Sequence, residues 1–293
     1  MKPRPISVIV AIATLNLAVA CGQHTKKHPV PPPAAPAALP DAKQLIERAL
    51  ATEKATYSQR ENYLCELHAQ RDELDSHGNL KKKHSEDEEE FFVNGHQIDH
   101  TLAKDGQALS SSDARKEQER VDKEVKKYSD PSQKVKEESE EQKRIESVLR
   151  MMQFNNERRE TVNGRPTIDF DITGNLAAQP QDLNDRFVQA MQGTLQLDEA
   201  TGQLVDLNIR SVKDVKIAGG LIASLHKGFW LHLHQVQHPD GVWLPDLAEG
   251  SGDARAALFL HPYFRFHQTE GDCHLYGVST TQTVAEPKSQ PPK

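Results

Sequence analysis

Cysteine is scarce in this 293-residue chain, with three residues, Cys21, Cys65 and Cys273. So few excludes a small scaffold knit by disulfides and any cysteine-rich metal or cluster fold. Aromatic residues are scarce too, at 5% with two tryptophans, and hydrophobic residues make up 36%, so the core is modest for the length. Beyond residue 20 no apolar run approaches the roughly 20 residues a membrane-spanning helix needs. Basic residues are outnumbered 43 to 36 by acidic ones, for a formal charge of −7. That balance argues against nucleic acid, whose partners need a basic face to displace counterions. A Gly-rich phosphate loop, a G-x-S-x-G elbow and an H-E-x-x-H motif are all absent. The sequence therefore assigns no catalytic residue, no cofactor and no resident metal.

What is present is alternation. Val205, Leu207 and Ile209 fall on one parity and Asp206, Asn208 and Arg210 on the other, the pattern of a half-buried antiparallel strand. Leu195 and Leu197 alternate likewise with Thr194, Gln196 and Asp198, and residues 198–202 supply a hairpin turn between the two runs.

The first 20 residues read as an export signal. Lys2 and Arg4 precede a short apolar run, Ile6 to Ala20. Ala18-Val19-Ala20-Cys21 resembles a lipobox, with Cys21 as the acylated residue, although Leu17 stands one place early for the commonest form. Ala18-x-Ala20 also suits an ordinary signal peptidase, which would leave a soluble periplasmic or secreted protein. Gly22 follows the cysteine in place of the aspartate of inner-membrane retention, so the expected location is the periplasmic side of the outer membrane. Residues 21–40 are an anchor and a proline-rich tether. Extended as polyproline II, the tether would reach roughly 35 Å from the bilayer. In an exported chain Cys65 and Cys273 are a candidate disulfide; two separate buried thiols are the alternative.

One domain is expected from 41 to 283, with a polar tail at 284–293. Asp41 caps a helix reaching about Arg60. Tyr63 to Ala69 begins the strands, and Asp75–Asn79 turns into a second one at 80–93. Asn94-Gly95 and Asp105-Gly106 bracket a third. Residues 111–150 are dominated by Glu, Lys and Arg and read as two helices parted at Asp130-Pro131, with narrow apolar stripes and few core contacts. Strands resume at 154–162 and 167–172, and a short helix or linker lies at 180–192. The C-terminal set is predicted at 193–198, 203–216, 228–237, 242–248, 254–267 and 272–279, with turns at Asp240-Gly241 and Glu270-Gly271.

Four features are candidates for function. His232 and His234 point the same way from one strand, with His238 beyond, but no third ligand is fixed near them, so no metal is assigned. The acidic run 86–90 reads as a solvated edge, because successive strand carboxylates face opposite ways. The apolar link 217–225 carries Leu221, Ile222 and Leu225 beside Gly219-Gly220, either as packed core or as a mobile lip over a pocket. An aromatic set that includes Trp230 and Trp243 suits either a core or the lining of a lipid cavity.

The order of elements, one helix, three hairpin strands, a helical excursion and a long antiparallel meander, resembles the lipoprotein-localisation (LolA/LolB-like) superfamily. Asp240-Gly-Val-Trp-Leu-Pro245 is its most family-like phrase, and the resemblance covers residues 41 to 280. It implies a mainly β (α+β) fold, a strongly curved antiparallel half-barrel with packing helices. It also implies a non-enzymatic cavity for a lipid, lipidated peptide or other amphiphile, with Leu221, Ile222, Leu225, Trp230 and Trp243 as ligand contacts. The charged insertion 111–150 departs from simple members. It leaves open a second role, a sensor or interaction module with an envelope protein partner.

Overall fold

The computed structural model describes residues 38–60, 62–94, 96–217, 223–256 and 263–275. The signal, Cys21, most of the tether, Leu221, Ile222 and the tail lie outside the described residues. The described residues contain four helices: α1 (Ala42–Arg60), α2 (Ser111–Tyr128), α3 (Pro131–Met151) and α4 (Leu183–Gln189). The strands of the first half are β1 (Tyr63–Leu74), β2 (Leu80–Val93), β3 (His96–Lys104), β4 (Gln107–Ala108), β5 (Met152–Val162) and β6 (Arg165–Gly174). Those of the second half are β7 (Met191–Asp198), β8 (Leu204–Ser211), β9 (Val215–Ile217), β10 (Ala223–Leu225), β11 (Trp230–Gln237), β12 (Trp243–Ala256) and β13 (Tyr263–Leu275).

One antiparallel sheet runs β4-β3-β2-β1-β13-β12-β11-β8-β7-β6-β5, and β10 pairs with β12 and β9 off that path. Its end strands, β4 and β5, do not meet. The expected half-barrel is therefore corrected: the fold is mainly β, but the sheet is neither closed nor strongly curled. Several hairpins follow their dipeptides. Asn163 and Gly164 adopt φ of 51° and 79°, the paired left-handed conformation that a two-residue turn between twisted strands requires. The C-terminal set differs from expectation, because residues 243–256 and 263–275 form two long strands where three shorter ones are predicted. Gly250 lies mid-strand because an ideal Cβ there would stand 2.7 Å from Phe266 Cε1. Glu270-Gly271 is no turn; it lies inside β13, where the register with β1 shifts.

The main core lies under α1. Leu45 and Ile46 pack on Ile168, Phe170 and Ile172 of β6. The helix starts where Asp41 accepts from the Gln44 amide at 2.9 Å. Polar ties then fix it along one rim of the sheet. Arg48 donates to the Glu199 carbonyl at 2.7 Å, Thr52 to the Thr201 carbonyl at 3.2 Å, and Arg60 to the Trp243 carbonyl at 3.3 Å.

The charged insertion is more integral than its stripes suggest. In α2, Glu117 accepts from the Thr101 backbone N–H at 3.0 Å and Arg120 donates to the Asp99 carbonyl. The helix thereby satisfies backbone groups of β3 that no neighbouring strand takes. In α3, Arg150 donates to both oxygens of Asp185 at 2.6 Å, and Ser147 donates at 2.7 Å. Burial alone would raise the Asp185 carboxyl, but these bonds and the Gln181 amide overcome it and hold the group at about 2. The structure contains a Cys65–Cys273 disulfide joining β1 to β13 across a sequence separation of 208. Closing a loop that long stabilises chiefly by restricting the unfolded chain, typically by about 2–4 kcal/mol.

Candidate functional site: an apolar cavity under α1

Between α1, the ends of α3 and α4, and the inner face of β5–β8 lies a cavity of about 290 Å³. That is the lower end of the roughly 300–1,000 Å³ range of small-molecule sites. Ile46 and Leu50 form its roof, Val148 and Phe187 one side, and Phe154 and Leu207 part of its floor. Each is there for a local reason. Ile46 and Leu50 are one helical turn apart on α1, and Leu207 has the inward parity of β8. Every side chain lining the cavity is apolar. Such a space takes up hydrocarbon and offers a polar ligand nothing to bind. Each methylene transferred into it from water is worth about 0.8 kcal/mol. A groove of about 620 Å³ shares Ile46 and Phe154 with the cavity and brings Lys43, Glu47, Glu146 and Arg150 to its mouth.

The residues expected to contact a ligand are placed otherwise. Leu225 is half-buried and packs against the main core. Trp230 is half-buried on the opposite parity of β11 from Leu231, which packs against that core. Trp243 is 4% exposed, with the Arg165 guanidinium 5.4 Å from its ring centre. None of the three lines the cavity.

The histidines do share a face, in a row of carboxylate pairs. His232 lies 2.7 Å from Asp206 and 3.2 Å from Glu249, Glu249 lies 3.2 Å from His267, and His234 lies 2.6 Å from Asp246. Burial opposes protonation of His232, but its two carboxylate partners prevail and raise its pKa. Among the described residues, the group of donors close enough for one metal is Cys65, Glu270 and Cys273, within 4.8 Å of one another. Both of its sulfurs are spent in the disulfide.

The acidic run departs most from its expected solvation. Glu88 and Glu90 point inward with Cys65 and Leu67, their cross-strand partners being Leu67 and Cys65 respectively. Glu90 is 3% exposed. Burial, then the charge of Glu270, pushes Glu90 up to about 9; burial pushes Glu270 up to about 8 against the opposing pull of Arg60. Burial thus favours the protonated form of both carboxyls.

No family model matches the chain, and no curated protein does. Among solved structures, a DUF1329 family protein from Desulfovibrio piger is similar at 8% identity with a TM-score of 0.28. The match covers 80% of this chain and 92% of that one.

Proposed function

We propose that this protein is a non-enzymatic envelope lipoprotein that holds a lipid, a lipidated peptide or another single-chain amphiphile against the inner face of its sheet. The cavity under α1 carries this reading, because its wholly apolar lining has room for part of an alkyl chain and little use otherwise. The resemblance to the lipoprotein-localisation superfamily in the order of elements points the same way. The lipobox-like Ala18-Val19-Ala20-Cys21 supports delivery to the periplasmic side of the outer membrane through an acylated Cys21. The alternative, a sensor or interaction module using residues 111–150, fits less well. Both helices of that segment are tied to the sheet or to α4, and Val148 helps line the cavity.

The test is organic extraction and mass spectrometry of the purified protein, beside displacement of a fluorescent fatty acid. Wild type is expected to carry or bind an amphiphile. Leu207→Trp, which fills the cavity, is expected to lose at least tenfold in affinity while remaining folded. Wild-type protein that neither carries nor binds any amphiphile would overturn the proposal.

A further inference from the structure

Apolar surface on the inner face does not end at the cavity. Strand register carries it across the sheet in two adjacent rows. Leu207 pairs with Leu233, Leu233 with Ala248, Ala248 with Gln268, and Gln268 with Ala69. One step along the strands, Ile209 pairs with Leu231, Leu231 with Gly250, Gly250 with Phe266, and Phe266 with Arg71. The period of two places both rows on one face. Leu231, Leu233, Ala248 and Phe266 each keep part of their surface exposed, which makes them a contiguous apolar strip rather than scattered single residues. Gly250 keeps the run shallow, since any Cβ there would meet the Phe266 ring. From β8 to β1 are four strand spacings, roughly 19 Å, the length of an extended long-chain fatty acyl group.

The far end differs in chemistry from the near one. A hollow of about 390 Å³ opens there, lined by Phe264, Phe266, Gln268 and Arg71 among others. The side chain of Arg71 is 69% exposed and its ion pair with Glu86 is long, at 3.9 Å. Glu86 is held more closely by Lys104, at 2.7 Å. His84 pairs across from Arg71, and Lys82 pairs across from Glu73. Arg71, Lys82 and Lys104 share this part of the face with Glu73, Glu86 and Glu88, and burial favours the protonated form of Glu88, so positive charge prevails. An oxyanion completes such a cluster, whereas a second cation would be repelled.

We infer that the two hollows are the ends of one site for a long-chain amphiphile with an anionic head. The tail lies under α1, the chain follows the two rows, and a carboxylate or phosphate meets Arg71. This rests on the amphiphile reading above and adds a chain path and a headgroup class to it.

The test uses the full chain carrying Cys21→Ser, purified without detergent, and displacement of a fluorescent long-chain fatty acid. Competitors of equal chain length are a fatty acid, its methyl ester, an alkyl phosphate and an alkyl trimethylammonium. The acid and the phosphate are expected to compete at least tenfold better than the ester and the ammonium, and their order says which oxyanion the site prefers. Arg71→Gln should erase that preference and leave ester binding unchanged. Ala248→Trp, in mid-run, should weaken long chains and spare an eight-carbon acid, which also guards against simple misfolding. Equal competition by all four heads, or a preference untouched by Arg71→Gln, would overturn the inference while leaving the cavity standing. Failure of every competitor and of the fluorescent acid itself would overturn both.

Discussion

Two buried acids should make this protein more stable in mild acid than at neutral pH. Glu90 and Glu270 are ordinary carboxyls in the unfolded chain, with values near 4.5, and are raised to about 9 and about 8 in the fold. Between those limits the native state holds protons that the unfolded chain has released. The unfolded state then binds fewer protons, so stability falls as pH rises. Their contribution is complete below about pH 4.5 and is lost as pH climbs through the folded values. Each group contributes a slope of up to about 1.4 kcal/mol per pH unit. From pH 5 to 7 the upper limit for the pair is thus about 5 kcal/mol. Water entry and the Arg60 charge reduce it, so a loss of about 1–2 kcal/mol is the expected minimum. The assay is urea unfolding at pH 5, 6, 7 and 8 on wild type and on Glu90→Gln/Glu270→Gln, since glutamine keeps the shape and cannot titrate. The double variant should lose most of the slope and exceed wild type in stability at pH 8. Every other ionisable group is common to both proteins and cancels in the difference. Identical slopes, or a double variant equally destabilised at pH 5 and pH 8, would mean that both carboxylates are ionised and paired, and would refute the reasoning.

Two further perturbations test other joints of the fold. Asp185→Asn removes the charge that holds Ser147, Arg150 and the Gln181 amide. It should cost about 2–3 kcal/mol at pH 7, and progressively less toward pH 2, where the depressed wild-type carboxyl takes up its proton; denaturation at both ends of that range measures it. Arg120→Ala should cost about 1 kcal/mol and should also raise the aggregation rate seen by light scattering, because it uncovers part of the β3 edge. An unchanged aggregation rate would show that α2 is not what shields that edge.

The elements of this fold were largely legible because their signals are local. A period of two marked β7 and β8, proline parted α2 from α3, and Asn-Gly and Asp-Gly marked tight turns. The order of strands was not legible, because it depends on pairings such as Tyr63 with Leu275 that no short window contains. The same limit explains the miscounted C-terminal strands. Gly250 and Gly271 resemble turn signals by composition, yet one makes room for a ring from the next strand and the other sits at a register shift. The curvature inferred from the family resemblance failed for a related reason. Twist and bulges set curvature residue by residue, and element order is silent about them.

The site was harder to read than the fold, and the reason is physical. A lining leucine and a packed leucine are the same residue, so nothing in the sequence separates Leu50, Phe187 and Leu207 from core. The space among them arises only when α1, α4 and β8 are assembled and leave a gap. Tryptophans are conspicuous by their size, yet Trp243 lies outside the cavity, at the C-terminal end of α1 beside Arg60 and Arg165. The acidic run shows the limit most sharply. Residues 86–90 alternate between faces as expected, and Asp87 and Glu89 do pair with His68 and His100. What no window could show is that the other parity faces Cys65 and Leu67, with Glu270 closing in from β13. A run of like charges is cheap where water reaches both faces. It becomes a pH-dependent liability where one face is covered, and pairing with β1 decides which.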